Sequence, residues 1–289
     1  MLIGEIFNVE RREEMIKSNI LFDNVWAISQ GELSEIVQIY NFYQYGKDFS
    51  PEGLKTELFP GKPIFTEKIK NTLIIRIDGK IAFYQDPFLT MISTTSIFKV
   101  LEVLLTALKD ESVKKIVLEI NSPGGILPAS LMLSQIIYSV RELKSIYGLV
   151  NNECLSGAYL IGSACTKLYV ASQAVMVGSI GVLTSISAKP LEVEERYKVL
   201  VVAAGKFKTA DSPRVEETEE FKKYKEATMV TAYDIFVEAV CKYRGLTQEV
   251  VKNTQGMIFY ADESIGLDLI DGYYDLKEWI LNKEVRRLK

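Results

Sequence analysis

The chain has 289 residues, of which 48% are hydrophobic, 25% charged and 10% aromatic, a globular composition long enough for one large domain or one domain with an extension. A formal net charge of −4 argues against a nucleic-acid partner, whose phosphates call for a basic face. Histidine is absent altogether, which removes the usual base for a serine nucleophile and a principal zinc ligand.

Residues 1–10 lack the basic start, apolar stretch and small-residue cleavage site of a secretory signal. No segment approaches the roughly 18 to 20 uninterrupted apolar residues of a spanning helix, so a cytoplasmic protein without a membrane span is expected. Cys154, Cys165 and Cys241 form no C-x-x-C pair, and without histidine neither a metal nor any other cofactor is indicated; free thiols are expected.

In chain order, Leu33, Ile36, Val37 and Tyr40 recur at helical spacing after Trp26-Ala27-Ile28. Pro60-Gly61-Lys62-Pro63 punctuates the chain, predicting a helical N-terminal extension over 1–65 and a main domain over 66–289. Residues 72–77 and 81–84 read as strands joined by a turn at Asp78-Gly79. Ile97, Val100, Leu101, Leu104, Leu105 and Leu108 keep the rhythm of an amphipathic helix. Strand and helix then alternate: a strand at 116–120, a turn at 121–125, a helix over 127–143, a strand at 147–150, a helix from near Ser156 and a strand at 199–202. The closing run from Lys283 to Lys289 reads as cations at a helix C-terminus. Such repetition predicts an α/β protein with a mostly parallel sheet, whose functional groups gather at the carboxyl ends of strands. The glycine turn after Ile120, Ser156 after Val150 and Lys208 after Val202 all fall there.

Ser156, followed by Gly157 and Ala158, is placed to expose its hydroxyl at a tight turn before a helix, although a simple N-cap fits the same residues. Gly124 and Gly125 at a strand end can present a backbone N–H to an oxyanion, with the N–H of Gly157 as second donor; a Pro-Gly turn is the plainer alternative. In the absence of histidine the base has to be a lysine, a cysteine or a carboxylate, and the 205–208 segment supplies lysines. A lysine near its reference pKa of about 10.4 is charged at neutral pH, and apolar burial is what lowers it toward the value base catalysis needs. Ala203, Ala204, Gly205, Phe207 and Ala210 give Lys206 and Lys208 an apolar neighbourhood, and composition alone does not rank the two. Cys154 reads as a packed small residue and Asp211 as a turn former.

Asn121-Ser122-Pro123-Gly124-Gly125, Ser156-Gly157-Ala158-Tyr159, Gly178-Ser179-Ile180-Gly181-Val182 and Gly205-Lys206-Phe207-Lys208 occur in order. With Tyr243-Arg244-Gly245-Leu246 and the stretch from Phe259 to Asp271, they resemble the motifs of the signal peptide peptidase A (protease IV) family over about Thr72 to Tyr274. That family is a Ser–Lys branch of the Clp-protease/crotonase-like fold, built from repeated β-β-α units, and includes capsid-assembly proteases of tailed phages. The resemblance implies Ser156 as nucleophile, Lys208 rather than Lys206 as general base, Gly125 and Gly157 as oxyanion donors, and Ser179 as a residue orienting the lysine, with Gly124 in support. It implies no metal or cofactor, a polypeptide substrate and a homo-oligomer. Leu155 stands where the family commonly has a small residue, which points to a narrowed site and small apolar residues before the scissile bond.

The extension around Trp26-Ala27-Ile28 is similar to that of phage and prophage members. The expected role is therefore a prohead protease acting on scaffold and capsid proteins. A soluble cellular peptidase clearing membrane-derived peptides, a crotonase-like acyl-CoA enzyme and a non-catalytic shell or scaffold protein are the alternatives.

Overall fold

The computed structural model describes residues 65–83, 94–184, 204–208 and 218–274, together with the backbone of 26–28. The predicted helix at 33–40, the strand at 199–202, Asp211 and the basic run at 283–289 lie outside the described residues.

The first strand, β1 (Trp26–Ile28), is followed by β2 (Thr66–Ile69), β3 (Thr72–Asp78), β4 (Lys80–Ala82), β5 (Thr94–Ser96) and helix α1 (Ile97–Lys109). Then come β6 (Lys115–Ser122), β7 (Gly124–Ile126), α2 (Leu127–Val140), β8 (Ile146–Leu155), α3 (Gly157–Ser163), β9 (Lys167–Val170) and β10 (Met176–Gly178). The rest comprises α4 (Glu219–Arg244), α5 (Gln248–Asn253), β11 (Ile258–Tyr260), α6 (Ala261–Gly266) and β12 (Gly272–Tyr273). The protein is mixed α/β, as its alternating pattern predicts. Strands β3, β6, β8 and β10 form the parallel centre of an eight-stranded sheet in the order β11-β10-β8-β6-β3-β2, with β9 beside β8 and β12 beside β9. A four-stranded sheet in the order β1-β7-β4-β5 adjoins it.

Central strands are apolar because helices cover them. Ile116, Val117, Leu118 and Ile120 of β6 are all buried, as are Ile97, Val100, Leu101, Leu104 and Ala107 along one face of α1. Helix α4 starts at Thr218, whose hydroxyl accepts the Phe221 N–H, and ends at Gly245 in the left-handed region with φ 70°. Glu219 and Glu220 in its first turn and Lys242 and Arg244 in its last complement the helix dipole. Its core residues, Ala232, Phe236, Val237, Val240 and Tyr243, all lie in the C-terminal half.

Three local expectations change. Gly79 has the positive φ (73°) predicted for the Asp78-Gly79 turn, yet β3 and β4 do not form a hairpin. Both edges of β3 are already taken, by β2 and β6, so the chain crosses into the small sheet, where β4 pairs with β5 and β7. Thr95 clamps this crossover, its hydroxyl accepting the Asp78 N–H at 3.0 Å and donating to the Asp78 carbonyl at 2.8 Å. The predicted turn at 121–125 is also largely strand: β6 runs on to Ser122, and Gly124 and Gly125 open β7. Within the predicted helical extension, the described residues 26–28 are a strand, paired with β7.

Candidate active site

Strand β8 runs five residues past the predicted Val150, to Leu155, and Ser156 links it directly to α3. The backbone of Ser156 has φ 52° and ψ −120°, outside the regions an L-residue occupies comfortably. Strain of this kind costs about 1–3 kcal/mol and persists only where the surroundings impose it. Here the Ser156 N–H donates to the Gly178 carbonyl at 2.8 Å and the Ser156 carbonyl accepts the Leu160 N–H at 3.0 Å. A serine on a strained strand-to-helix turn is also how α/β-hydrolases present their nucleophile. The hydroxyl caps no N–H of α3, so the plain N-cap alternative fails. It donates instead to the Gly181 carbonyl at 3.3 Å.

One expectation about Ser156 is corrected. Its hydroxyl does not stand exposed at the turn: the residue is only 1% accessible. The extra length of β8 carries it between its neighbours, and the 178–181 segment, bonded to both its N–H and its hydroxyl, covers it.

Glycines approach from the other side. A bulge in the β6–β8 pairing shifts the register from Ile120↔Val150 to Ser122↔Cys154, bringing Ser122 and the glycines after it level with the end of β8. The Gly124 N–H is held by the Ser122 hydroxyl at 3.1 Å, and Gly124 has φ 110°, open to glycine alone. Gly125 is required for space: an added Cβ would lie 2.1 Å from the Ile81 carbonyl oxygen. Gly157 is the first residue of α3, so its N–H has no acceptor within the helix.

On the opposite flank Gly178 pairs with Leu155, and Ser179 (φ 53°) is half-buried, its N–H bonded to the Met257 carbonyl at 2.8 Å. Residues 179–183 with Met229, Val230, Tyr233 and Ile258 line an open cleft of about 640 Å³ beside the serine.

The structure therefore assembles Ser122, Gly124, Gly125, Ser156, Gly157 and Ser179 around the carboxyl ends of β6, β8 and β10. Lys208 is not joined to them: among the described residues no hydrogen bond links it to Ser156. It sits exposed in the short 204–208 segment, its N–H bonded to the Gly205 carbonyl at 3.1 Å. The apolar shelter expected for it is absent among the described residues, since Ala204 and Gly205 are exposed, and Phe207 packs elsewhere, 4.8 Å from the Tyr224 ring and 5.7 Å from the Phe221 ring of α4. The two lysines are no longer equivalent, because Lys206 is paired with Glu220 at 2.6 Å.

Cys154 is fully buried, and desolvation, with Cys165 and Glu153 adding to it, pushes its thiol well above the usual range. A thiolate there is inaccessible, in line with its reading as a packing residue. Sequence reasoning missed the Gly181 carbonyl, because a backbone acceptor leaves no mark on residue type. It also missed the Ser122 hydroxyl, whose signal was the Ser-Pro-Gly order of a side-chain-stabilised turn.

The C-terminal motifs buttress the helix behind the serine. The Tyr159 hydroxyl of α3 donates to the Leu269 carbonyl at 2.9 Å. Arg244 reaches Asp271 at 2.7 Å and the Asp268 carbonyl at 2.9 Å, while Asp271 also accepts the Leu168 N–H at 2.9 Å and pairs with Lys167 at 2.8 Å. Burial pushes the Asp271 carboxyl up, but Arg244, Lys167 and the Leu168 N–H outweigh it and hold the group below its ordinary range.

Known proteins are similar to this chain. The head-tail preconnector protein GP5 of Enterobacteria phage P21 is 27% identical over 225 residues, covering 75% of this chain and 43% of that protein. Capsid assembly protease C of Escherichia phage lambda is 27% identical over 169 residues, 58% of this chain and 38% of that one. A protein of Enterococcus faecium named for signal peptide peptidase SppA is 31% identical over 179 residues, 58% of this chain and 50% of that one. The chain thus spans half or less of the length of these curated relatives. The pattern of peptidase family S49 matches residues 139–287, from the end of α2 through the strained serine, the Lys208 segment and the buttressing tail, and the chain belongs to that family.

Proposed function

We propose that the protein is a serine endopeptidase on a Clp/crotonase-like scaffold, with Ser156 as nucleophile and Lys208 as general base. The observation that carries this reading is the strained backbone of Ser156, held between glycine-rich segments at the carboxyl ends of three strands. Lys206 is the weaker candidate for the base because Glu220 engages it, whereas Lys208 is exposed in the same segment. Neutral Lys208 takes the Ser156 proton as Oγ bonds to the peptide carbonyl carbon, and the N–H groups of Gly125 and Gly157 receive the oxyanion. The C–N bond then breaks, the protonated lysine returns its proton to the leaving amine, and lysine next activates the water that releases the acyl group from Ser156. Ser179 orients the lysine, and Gly124, at positive φ, directs the start of the strand that carries Gly125. This chemistry requires Lys208 to come within hydrogen-bond reach of Ser156 and to leave water, which assembly into a homo-oligomer or substrate binding would bring about.

The biological reading is a capsid-assembly protease of the host cytoplasm or prohead, acting on scaffold and capsid proteins. It draws on the phage relatives and on the absence, among the described residues, of any helix long and apolar enough to cross a membrane. The Enterococcus relative favours a second reading, a soluble peptidase of membrane-derived peptides.

The test is casein hydrolysis by wild type, Ser156→Ala, Lys208→Ala and Lys206→Ala. Loss of activity by about 10³-fold or more in the first two variants, with Lys206→Ala near wild type, is expected. Equal behaviour of all four proteins would reject the dyad.

A further inference from the structure

We propose that β1 occupies the slot an extended peptide must enter to reach Ser156, so that the chain's own residues 26–28 compete with substrate. The proposal rests on reading Gly125 as an oxyanion donor. A peptide presenting a carbonyl to that N–H has to align along an edge of β7, as in strand addition to a sheet. One edge is closed: β4 pairs there, Ile81 opposite Gly125, and approaches so closely that a Cβ on Gly125 would meet the Ile81 backbone. The other edge holds β1. It runs antiparallel to β7 with Trp26 opposite Ile126, Ala27 opposite Gly125 and Ile28 opposite Gly124. It also lies against α3, the helix that Ser156 opens.

Strand β1 therefore lies beside both the glycine strand and the nucleophile's helix, which also touch each other directly. A further observation agrees. The residue set opposite Gly125 is Ala27, of the small apolar type that Leu155 leads one to expect at the scissile position. At three residues, on the outer edge of its sheet, β1 is a short strand whose pairing a good substrate can replace. The partner this edge fits is thus an extended polypeptide with a small residue between apolar ones, and β1 is its stand-in. Substrate then binds only to the fraction of molecules in which β1 has left, which lowers apparent affinity by that fraction.

The experiment uses the full chain with Ala27→Pro, which removes the N–H at the centre of β1, and with Ile28→Pro as a second disruption in case one variant folds poorly. Three quantities are read: casein kcat/KM, hydrogen exchange over residues 122–128, and binding of a fluorescent peptide of sequence 22–32 to Ser156→Ala proteins with and without the proline. We expect kcat/KM to rise about fivefold or more. Exchange over 122–128 should quicken, and the peptide should bind only the proline-containing protein. Equal peptide binding in both backgrounds with unchanged exchange would overturn the proposal, as would unchanged kcat/KM in active protein. If wild type and variants are all inert toward casein, the peptidase reading is lost, while peptide binding and exchange still decide whether β1 holds the slot.

Discussion

Glycine serves two different needs in this chain, and substitution separates them. Gly125 is fixed by space, since the Ile81 backbone occupies the volume of a side chain, and neither backbone can give way without parting β4 from β7. Gly245 is fixed by conformation: at φ 70° it closes α4, but nothing lies within 4 Å of an added Cβ. Alanine at 245 should cost about 1–2 kcal/mol, the left-handed penalty alone. Alanine at 125 should cost about 3 kcal/mol or more, the upper end of overpacking, so urea unfolding midpoints should fall much further for Gly125→Ala. Midpoints in the reverse order would mean that β4 yields easily. At this scale the sequence was informative where a side chain carried the signal. Ser-Gly-Ala after an apolar strand put Ser156 at a strand-to-helix junction, while its burial and its bond to Gly181 depend on how far β8 runs, which no residue type announces.

Among elements, the link between α4 and the tail turns a sequence motif into a support for the serine's helix. Arg244 at the end of α4 and Asp271 before β12 are each about one-tenth exposed, with Lys167 of β9 as third member. Because the folded Asp271 carboxyl is held below its ordinary value, it contributes stability above the unfolded carboxylate pKa of about 3.9, and that contribution is lost as pH falls through the lower folded value. Asp271→Asn should therefore lose about 3 kcal/mol at neutral pH, as for a buried pair deprived of one partner. The difference from wild type should shrink below about pH 4. A difference constant from pH 7 to pH 3 in chemical denaturation would show that the charge is not what the site uses. Periodicity located α1 well, because a stripe of apolar side chains over several turns is a long signal. It had no hold on β7, which Pro123-Gly124-Gly125 disguised as a turn, or on β1, since three residues hold no period to detect.

Across the whole molecule, the parallel centre of the large sheet was legible in the alternation of elements, but the second sheet was not. Its pairings join residues 26–28, 80–82, 94–96 and 124–126, too short and too far apart to be read from local pattern. Stability should be distributed as unevenly as these contacts. Every buried residue of α4 lies between Ala232 and Tyr243, whereas Glu219–Thr231 contributes none, and the segment bearing Lys208 rests its Phe207 on Phe221 and Tyr224 of that outer half. Hydrogen exchange should accordingly be faster over 219–231 than over 232–244; equal protection of the two halves would contradict this. The proposed nucleophile and its base then belong to parts of different thermal strength, one set in the sheet and the other moored to an overhanging helix. Warming would disarm the molecule before melting it, with activity fading reversibly at temperatures where calorimetry still records an intact core.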